Sequence, residues 1–252
     1  NMELFIKNYR PYYERGFKRI ILPFKHWMLT GRIHEEFPDI YVKNTIINKD
    51  YSAQDIYESA KAGYDYVYVD REVMRDKRTY EQYPLVKKKI KEDFGKDIKI
   101  SLLVNEGCIG KCPLRTEHYS YNFNKKPNDK MYFTDKISTV SCSVWKKDKS
   151  YLLKTLDLVP VRKEFEHYSK YFDVFKLHGR DNFYKMLDGI NIMYNLTLGN
   201  EILESKRYSM YMDRIGNKNT LYEYMNKVKE CGMQCWNCDY CDKINKLKEN
   251  KK

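Results

Sequence analysis

A chain of 252 residues is long enough to bury a full core as one barrel-sized domain. With 33% charged residues and a mean hydropathy of -0.77, no window supplies the roughly 18 apolar residues of a membrane span. Aromatic content of 15%, including 24 Tyr, excludes a disordered chain. The net charge is +12, but Lys outnumbers Arg 35 to 12, so a solvated lysine surface accounts for most of it.

No basic-then-apolar leader occupies Asn1 to Arg10, and the expectation is a cytoplasmic protein. Short β-branched or aromatic runs then recur, each followed by polar residues and a helical pattern. Arg19–Phe24, Ile40–Ile46, Tyr64–Asp70, Ile98–Val104, Ile137–Val144 and Val174–Leu177 read as strands. Between the second and third, Ser52 with Asp55 three residues on starts a helix whose stripe is Ala53, Ile56 and Ala60, and Gly63 stops it. Another helix spans roughly Leu85–Phe94, with Lys87, Lys88, Lys89 and Lys91 on a face that solvation explains. Residues 182–229 read as closing helices, and 243–252 as a frayed charged tail. This alternation predicts an α/β fold, a (β/α) TIM-like barrel with a C-terminal helical and Cys-rich closing segment. The expected divisions are 1–229, a barrel-like domain with closing helices; 230–242, a metal-binding segment; and 243–252, the tail.

In such barrels the chemistry lies at the carboxyl ends of the strands. There this chain places His26 and Trp27, Lys43 and Asn44, Asp70 and Arg71, Asn105, Glu106 and Cys108, Cys142, and His178 and Arg180. The seven cysteines cluster, with Cys108, Cys112 and Cys142 in one set and Cys231, Cys235, Cys238 and Cys241 in the other. Without a secretion signal, clustering favours metal over disulfides. Gly107 and Gly110 let a tight loop turn Cys108 and Cys112 toward one site, and Pro113 follows as in ligand loops of iron-sulfur proteins. The compact closing run suits an iron-sulfur cluster better than zinc, which remains the alternative. Its CxxxCxxC spacing matches radical-SAM enzymes, but it follows the last strand instead of the first, so that reading is set aside. His34 and His167 fall in charged helical surroundings and read as surface residues.

The series SAQDIYESAKAGYDYVYVDR, KISLLVNEGCIGKCPLRTEHY, SCSVW, FDVFKLHGR and the closing cysteine run resembles the U32 proteins, historically called peptidases or collagenases, over Phe37 to Cys241. The resemblance implies a (β/α) barrel holding a 4Fe-4S cluster on four cysteines, and oxygen-independent hydroxylation of a quinone precursor or of an RNA base. It assigns Cys108, Cys112 and Cys142 as ligands, with a fourth among Cys231, Cys235, Cys238 and Cys241. Arg180 matches the Arg of the family's K-[IL]-x-G-R segment, whereas His178 replaces its usual acidic residue. Only eighteen residues precede the first strand, fewer than the family places there, which implies a barrel incomplete at its amino end or completed by a homo- or heterodimer partner. Three plus four cysteines allow one cluster with spare thiols, or two. Glu106, His118 and His178 are the acid-base candidates, with His118 equally fitted to support a ligand from behind. The implied substrate is RNA or a small aromatic molecule, with an electron donor besides. Two other functions stay open: a U32-type hydrolase, though neither HExxH nor a serine-triad order occurs, and an RNA-binding module with structural metal sites. In the latter, Lys87 to Lys91, Lys146, Lys147, Lys149 and the tail would hold phosphates.

Overall fold

The computed structural model describes residues 1–105, 107–116, 150–178, 183–199 and 205–249. They form a mixed α/β chain that divides into two compact units, Asn1–Leu103 with Glu166–Lys176, and Val104–Phe165 with Leu177–Lys252.

The first unit carries a parallel sheet of five strands: β1 (Arg19–Ile21), β2 (Tyr41–Lys43), β3 (Tyr66–Tyr68), β4 (Lys99–Leu103) and β5 (Val174–Lys176). They lie in chain order and pair parallel, so each connection crosses over the sheet to return to the same end. Five of the six expected strands are therefore present, each shorter than expected, and Ile137–Val144 lies outside the described residues, as does any closure of a barrel. Helix α1 (Met2–Glu14) precedes β1, and α2 (Lys25–Leu29) and α3 (Arg32–Glu36) connect it to β2. Helix α4 (Ala53–Lys61) has the expected capping box: Ser52 Oγ accepts from the Asp55 amide, and the Asp55 carboxylate accepts from the Ser52 amide at 2.8 Å. After α5 (Lys77–Tyr80), α6 (Tyr83–Phe94) begins two residues earlier than expected, because Pro84 suits a first helical turn, and ends at Gly95 with φ 68°.

The register sorts the sheet into two unlike faces. Ile20, Val42, Val67, Ile100, Leu102 and Phe175 share one, and Val42, Val67, Ile100 and Leu102 on it are fully buried. Arg19, Ile21, Tyr41, Lys43, Tyr66, Tyr68, Lys99, Ser101, Leu103, Val174 and Lys176 share the other. Packing behind β1 and β2 comes from Ile6, Leu22, Met28, Ile33, Phe37 and Tyr64. Tyr80, Tyr83, Tyr168 and Phe172 add an aromatic block, with the Tyr168 hydroxyl donating to Met74 O at 2.7 Å.

The second unit contains α7 (Tyr151–Lys154), the start of α8 (Arg162–Tyr168), then α9 (Phe183–Thr197), α10 (Lys206–Ile215), α11 (Lys218–Lys229) and α12 (Tyr240–Glu249). Its core joins Leu153, Val159 and Val161 to Tyr208, Tyr211, Leu221, Tyr224, Met225 and Ile244.

Three expectations are corrected. The tail is not frayed from Lys243: α12 runs to Glu249, because Ile244 is buried in the core and anchors it. His34 and His167 are not plain surface residues. His34 Nε2 lies 2.8 Å from Gly63 O, and His167 Nε2 lies 3.0 Å from the Tyr80 hydroxyl. The α6 lysines are more than solvated, since Lys87, Lys88, Lys89 and Lys91 pair with Asp173, Glu92, Asp93 and Asp97. No helix among the described residues is long and apolar enough to cross a membrane.

Candidate functional site

The strand-end residues within the sheet unit form a buried polar net. Asn44 and Asp50 are almost wholly buried. The Asn44 amide donates to Asp50 at 2.9 Å, Ser59 donates to the same carboxylate, and Lys25 reaches it at 3.3 Å. Burial pushes the Asp50 carboxyl above the ordinary range, against the pull of Ser59 and Lys25. Asp70, Arg71, Glu72 and Arg75 are also buried, with Asp70 capping the turn at Glu72 N, 2.9 Å away. His26 is exposed on α2.

The cysteines belong to the second unit. Where the chain leaves β4, the Asn105 carboxamide bonds the chain leaving β5: Nδ2 donates to His178 O at 2.9 Å, and Oδ1 accepts from His178 N at 2.6 Å. A carboxamide thus replaces a strand partner, and it is almost fully buried. Two residues on, the Gly107 amide donates to Asp157 Oδ1 at 2.7 Å, and its carbonyl accepts from the Tyr151 hydroxyl at 2.6 Å. Gly107 has φ 78°, which an L side chain rarely adopts. The loop then runs antiparallel to residues 154–156: Leu156 N donates to Cys108 O at 2.8 Å, and Ile109 bridges Thr155. Arg207 from α10 closes this frame. Its guanidinium pairs with Asp157 Oδ2 at 2.9 Å and donates to Asn105 O at 3.4 Å. Asp157 is buried and Arg207 half-buried, so the guanidinium offsets a carboxylate held in a poorly hydrated place.

The closing cysteine run adjoins the same segment. The Cys241 thiol lies 3.6 Å from Leu153 O, which also accepts from the Tyr224 hydroxyl at 2.8 Å. Asp242 accepts from Ser150 at 2.5 Å and pairs with Lys154 at 2.8 Å. A Cβ at Gly110 would stand 2.0 Å from Met233 Sδ, so the absent side chain lets Met233, between Cys231 and Cys235, sit on the Cys108–Cys112 loop. Cys108, Cys112, Cys231 and Cys241 are half-buried, and Cys235 and Cys238 exposed.

Of the residues singled out in the sequence, Glu106, His118, Cys142 and Arg180 lie outside the described residues. His178 is half-buried, with its backbone held by Asn105. Among the described residues no three His, Cys, Asp or Glu converge closely enough to hold a metal ion. Sequence reading missed Asp157, Tyr151 and Arg207, none of which sits in a motif, and Met233, which lies inside the closing cysteine run but is not a thiol; only the charge of Asp157 within the apolar run Leu156 to Val161 hints at a partner. A cleft beside Asn105 and Arg207 is walled by Val104, Leu158, Pro160, Phe165, Leu177 and Ile192, with Asp188 and Gly189 from α9.

No family model matches the chain. No solved structure matches it either. It is similar to the "Uncharacterized protease MJ1657" of Methanocaldococcus jannaschii, 24% identical over 153 residues, which covers 58% of this chain. The chain matches only 44% of that relative's length. The likeness supports a relationship to the U32 peptidase family.

Proposed function

We propose that the chain is an iron-sulfur-dependent redox enzyme of the U32 type that hydroxylates, or otherwise modifies without molecular oxygen, an RNA base or small aromatic substrate. One observation carries this reading. The Cys108–Cys112 loop and the Cys231–Cys241 run flank one backbone segment, Leu153 to Leu156, and Met233 packs on Gly110. The donors are cysteine side chains, the ligand type that iron-sulfur clusters take, so the residues fit a 4Fe-4S group in chemistry. Cys108, Cys112 and Cys142 would hold it, with a fourth thiol from the closing run. When bound, it would supply one-electron chemistry.

The chain's own groups then hold the loop and handle protons. Asp157 fixes the Gly107 amide, Arg207 fixes Asp157, and Asn105 fixes the backbone of His178. In this reading His178, Glu106 and His118 are the proton-transfer groups, and Arg180 steadies negative charge on the substrate. The relative's name favours a second reading, a peptide hydrolase, for which this sequence offers no HExxH or serine-triad order.

Anaerobic purification followed by iron and sulfide counts tests the proposal. The expected result is about four irons and four sulfides per cluster, lost in Cys142→Ala. Retention in Cys238→Ala would free that thiol from the ligand set, and loss would assign it. Zinc in place of iron, or peptide cleavage that copurifies with the chain and survives Cys142→Ala, would overturn the redox reading.

A further inference from the structure

Helix α9 is apolar on two sides, and the described residues cover one of them. Gly189 and Ile192 are buried, and a Cβ at Gly189 would meet Asn105 Nδ2 at 3.3 Å and Leu177 at 3.4 Å, so that side packs close. The other side carries Phe183, Leu187, Ile190 and Tyr194, then Leu198 just past the helix, with Tyr184 beside them; all six are exposed. Phe183, Tyr184 and Tyr194 keep 62%, 82% and 62% of their surface. A helix apolar all round is a buried helix, and steps of four, three and four residues from Phe183 line up along one helical face, as a packing seam does. The polar groups nearby turn back on the helix: Asn191 Oδ1 accepts from Asn195 Nδ2 at 2.9 Å, and the Thr197 hydroxyl donates to Met193 O at 2.8 Å. Covering this side therefore leaves neither oxygen without a partner. From Phe183 to Leu198 the charged residues are Lys185 and Asp188 alone, so the stretch is neutral in a chain of net charge +12.

We propose that this stripe is the interface between two copies of the chain, which pack their α9 helices antiparallel about a two-fold axis at Ile190 and Asn191. In that register Phe183 of one copy faces Leu198 of the other, and Leu187 faces Tyr194, so the stripe is complementary to itself, as a two-fold contact requires. The uncovered area is that of an interface. At about 200 Å² per ring the aromatic surface left open is roughly 400 Å², and the three aliphatic side chains raise it to roughly 550 Å². That exceeds the few hundred Å² of an ordinary surface patch. It is about two-thirds of the roughly 800 Å² that each partner gives a stable interface, before flanking residues are counted. Charge selects the same face: copies at +12 repel one another over most of their surface, and a neutral stripe lets them meet without opposing like charges. The contact uses no residue of α1 or β1, so it is distinct from a partner that completes a barrel, and it does not rest on the redox reading.

Sedimentation velocity of the full chain across micromolar concentrations tests it. The expected particle has twice the 30.5 kDa mass of one chain. Ile190→Asp sets two carboxylates at the axis and should weaken association about a hundredfold or more. Leu85→Asp, equally exposed but on α6, should leave the dimer unchanged. Leu187→Lys and Tyr194→Glu should each dimerise poorly alone and form a heterodimer when mixed, because the antiparallel register sets Leu187 of one copy against Tyr194 of the other. Circular dichroism would verify that each variant is folded. A monomeric wild type would overturn the proposal, and so would a dimer that survives Ile190→Asp or one that is lost equally in Leu85→Asp. Failure of the mixed variants to associate would overturn the antiparallel pairing. A monomer that binds phosphatidylcholine vesicles, and loses them in Ile190→Asp, would assign the stripe to a lipid surface and overturn the dimer.

Discussion

The two units are specified by different means. The sheet unit is built from alternation: along each strand one residue goes to the aliphatic face and the next to the face that carries Lys and Tyr, and helices close the intervals. The cysteine unit is held at its centre by point contacts between residues far apart in sequence. Asn105 and His178 are 73 residues apart, Gly107 and Asp157 are 50, and Ser150 and Asp242 are 92. Alternation spreads specification over many weak choices, so one substitution seldom matters; a single carboxylate that fixes both a loop amide and a guanidinium concentrates it. The cysteine unit should therefore be the more brittle under mutation.

The largest effect is expected at Asp157. Asp157→Ala leaves the half-buried Arg207 without its charge partner and the Gly107 amide without its acceptor, a loss of about 3 kcal/mol. Urea denaturation would measure it, and a fall below about 1 kcal/mol would show that the pair is dispensable. Gly110→Ala comes next, at about 1–3 kcal/mol, the range for an overpacked contact. The added methyl must displace Met233, so Met233→Ala in the same chain should restore most of the loss. Failure of that rescue would mean that the loop and the closing run do not depend on each other. Asn105→Ala should cost a similar 1–3 kcal/mol by leaving the half-buried amide and carbonyl of His178 without the Asn105 carboxamide.

The contrast also explains what could be read in advance. The five strands announce themselves as β-branched and aromatic runs, and the Ser52 cap as a motif. Strand ends could not be read, because they depend on single side chains. Pro23 has no amide to continue β1. Asn44 ends β2 by turning its side chain to the Tyr68 amide and to Asp50. The Lys and Tyr face was hidden in plain view: Tyr and Lys in IYVKNTI and YDYVYVD read as strand residues, and only the register places them on one side. In the cysteine unit the motif cysteines are conspicuous and the residues that hold their loop are not. Asp157 and Arg207 have no periodic neighbours to signal them, and Met233 matters only because Gly110 lacks a side chain.

The smallest effect tests the sheet unit. Ser52→Ala removes the acceptor of the Asp55 amide and should cost about 1 kcal/mol, readable as a modest drop in melting temperature. Asp55 adds a pH signature. Burial alone would raise its carboxyl, but the amides of Ser52 and Tyr51 and the Ser52 hydroxyl outweigh that and hold it below the ordinary range. Because the folded value lies below the unfolded one, near 3.9, its stabilisation is complete above that pH and is lost as pH falls through the lower folded value. Asp55→Asn should therefore lower stability at pH 7 and reduce the further loss on acidification below about pH 4. An unchanged acid limb would show that the cap draws its strength from Ser52 alone.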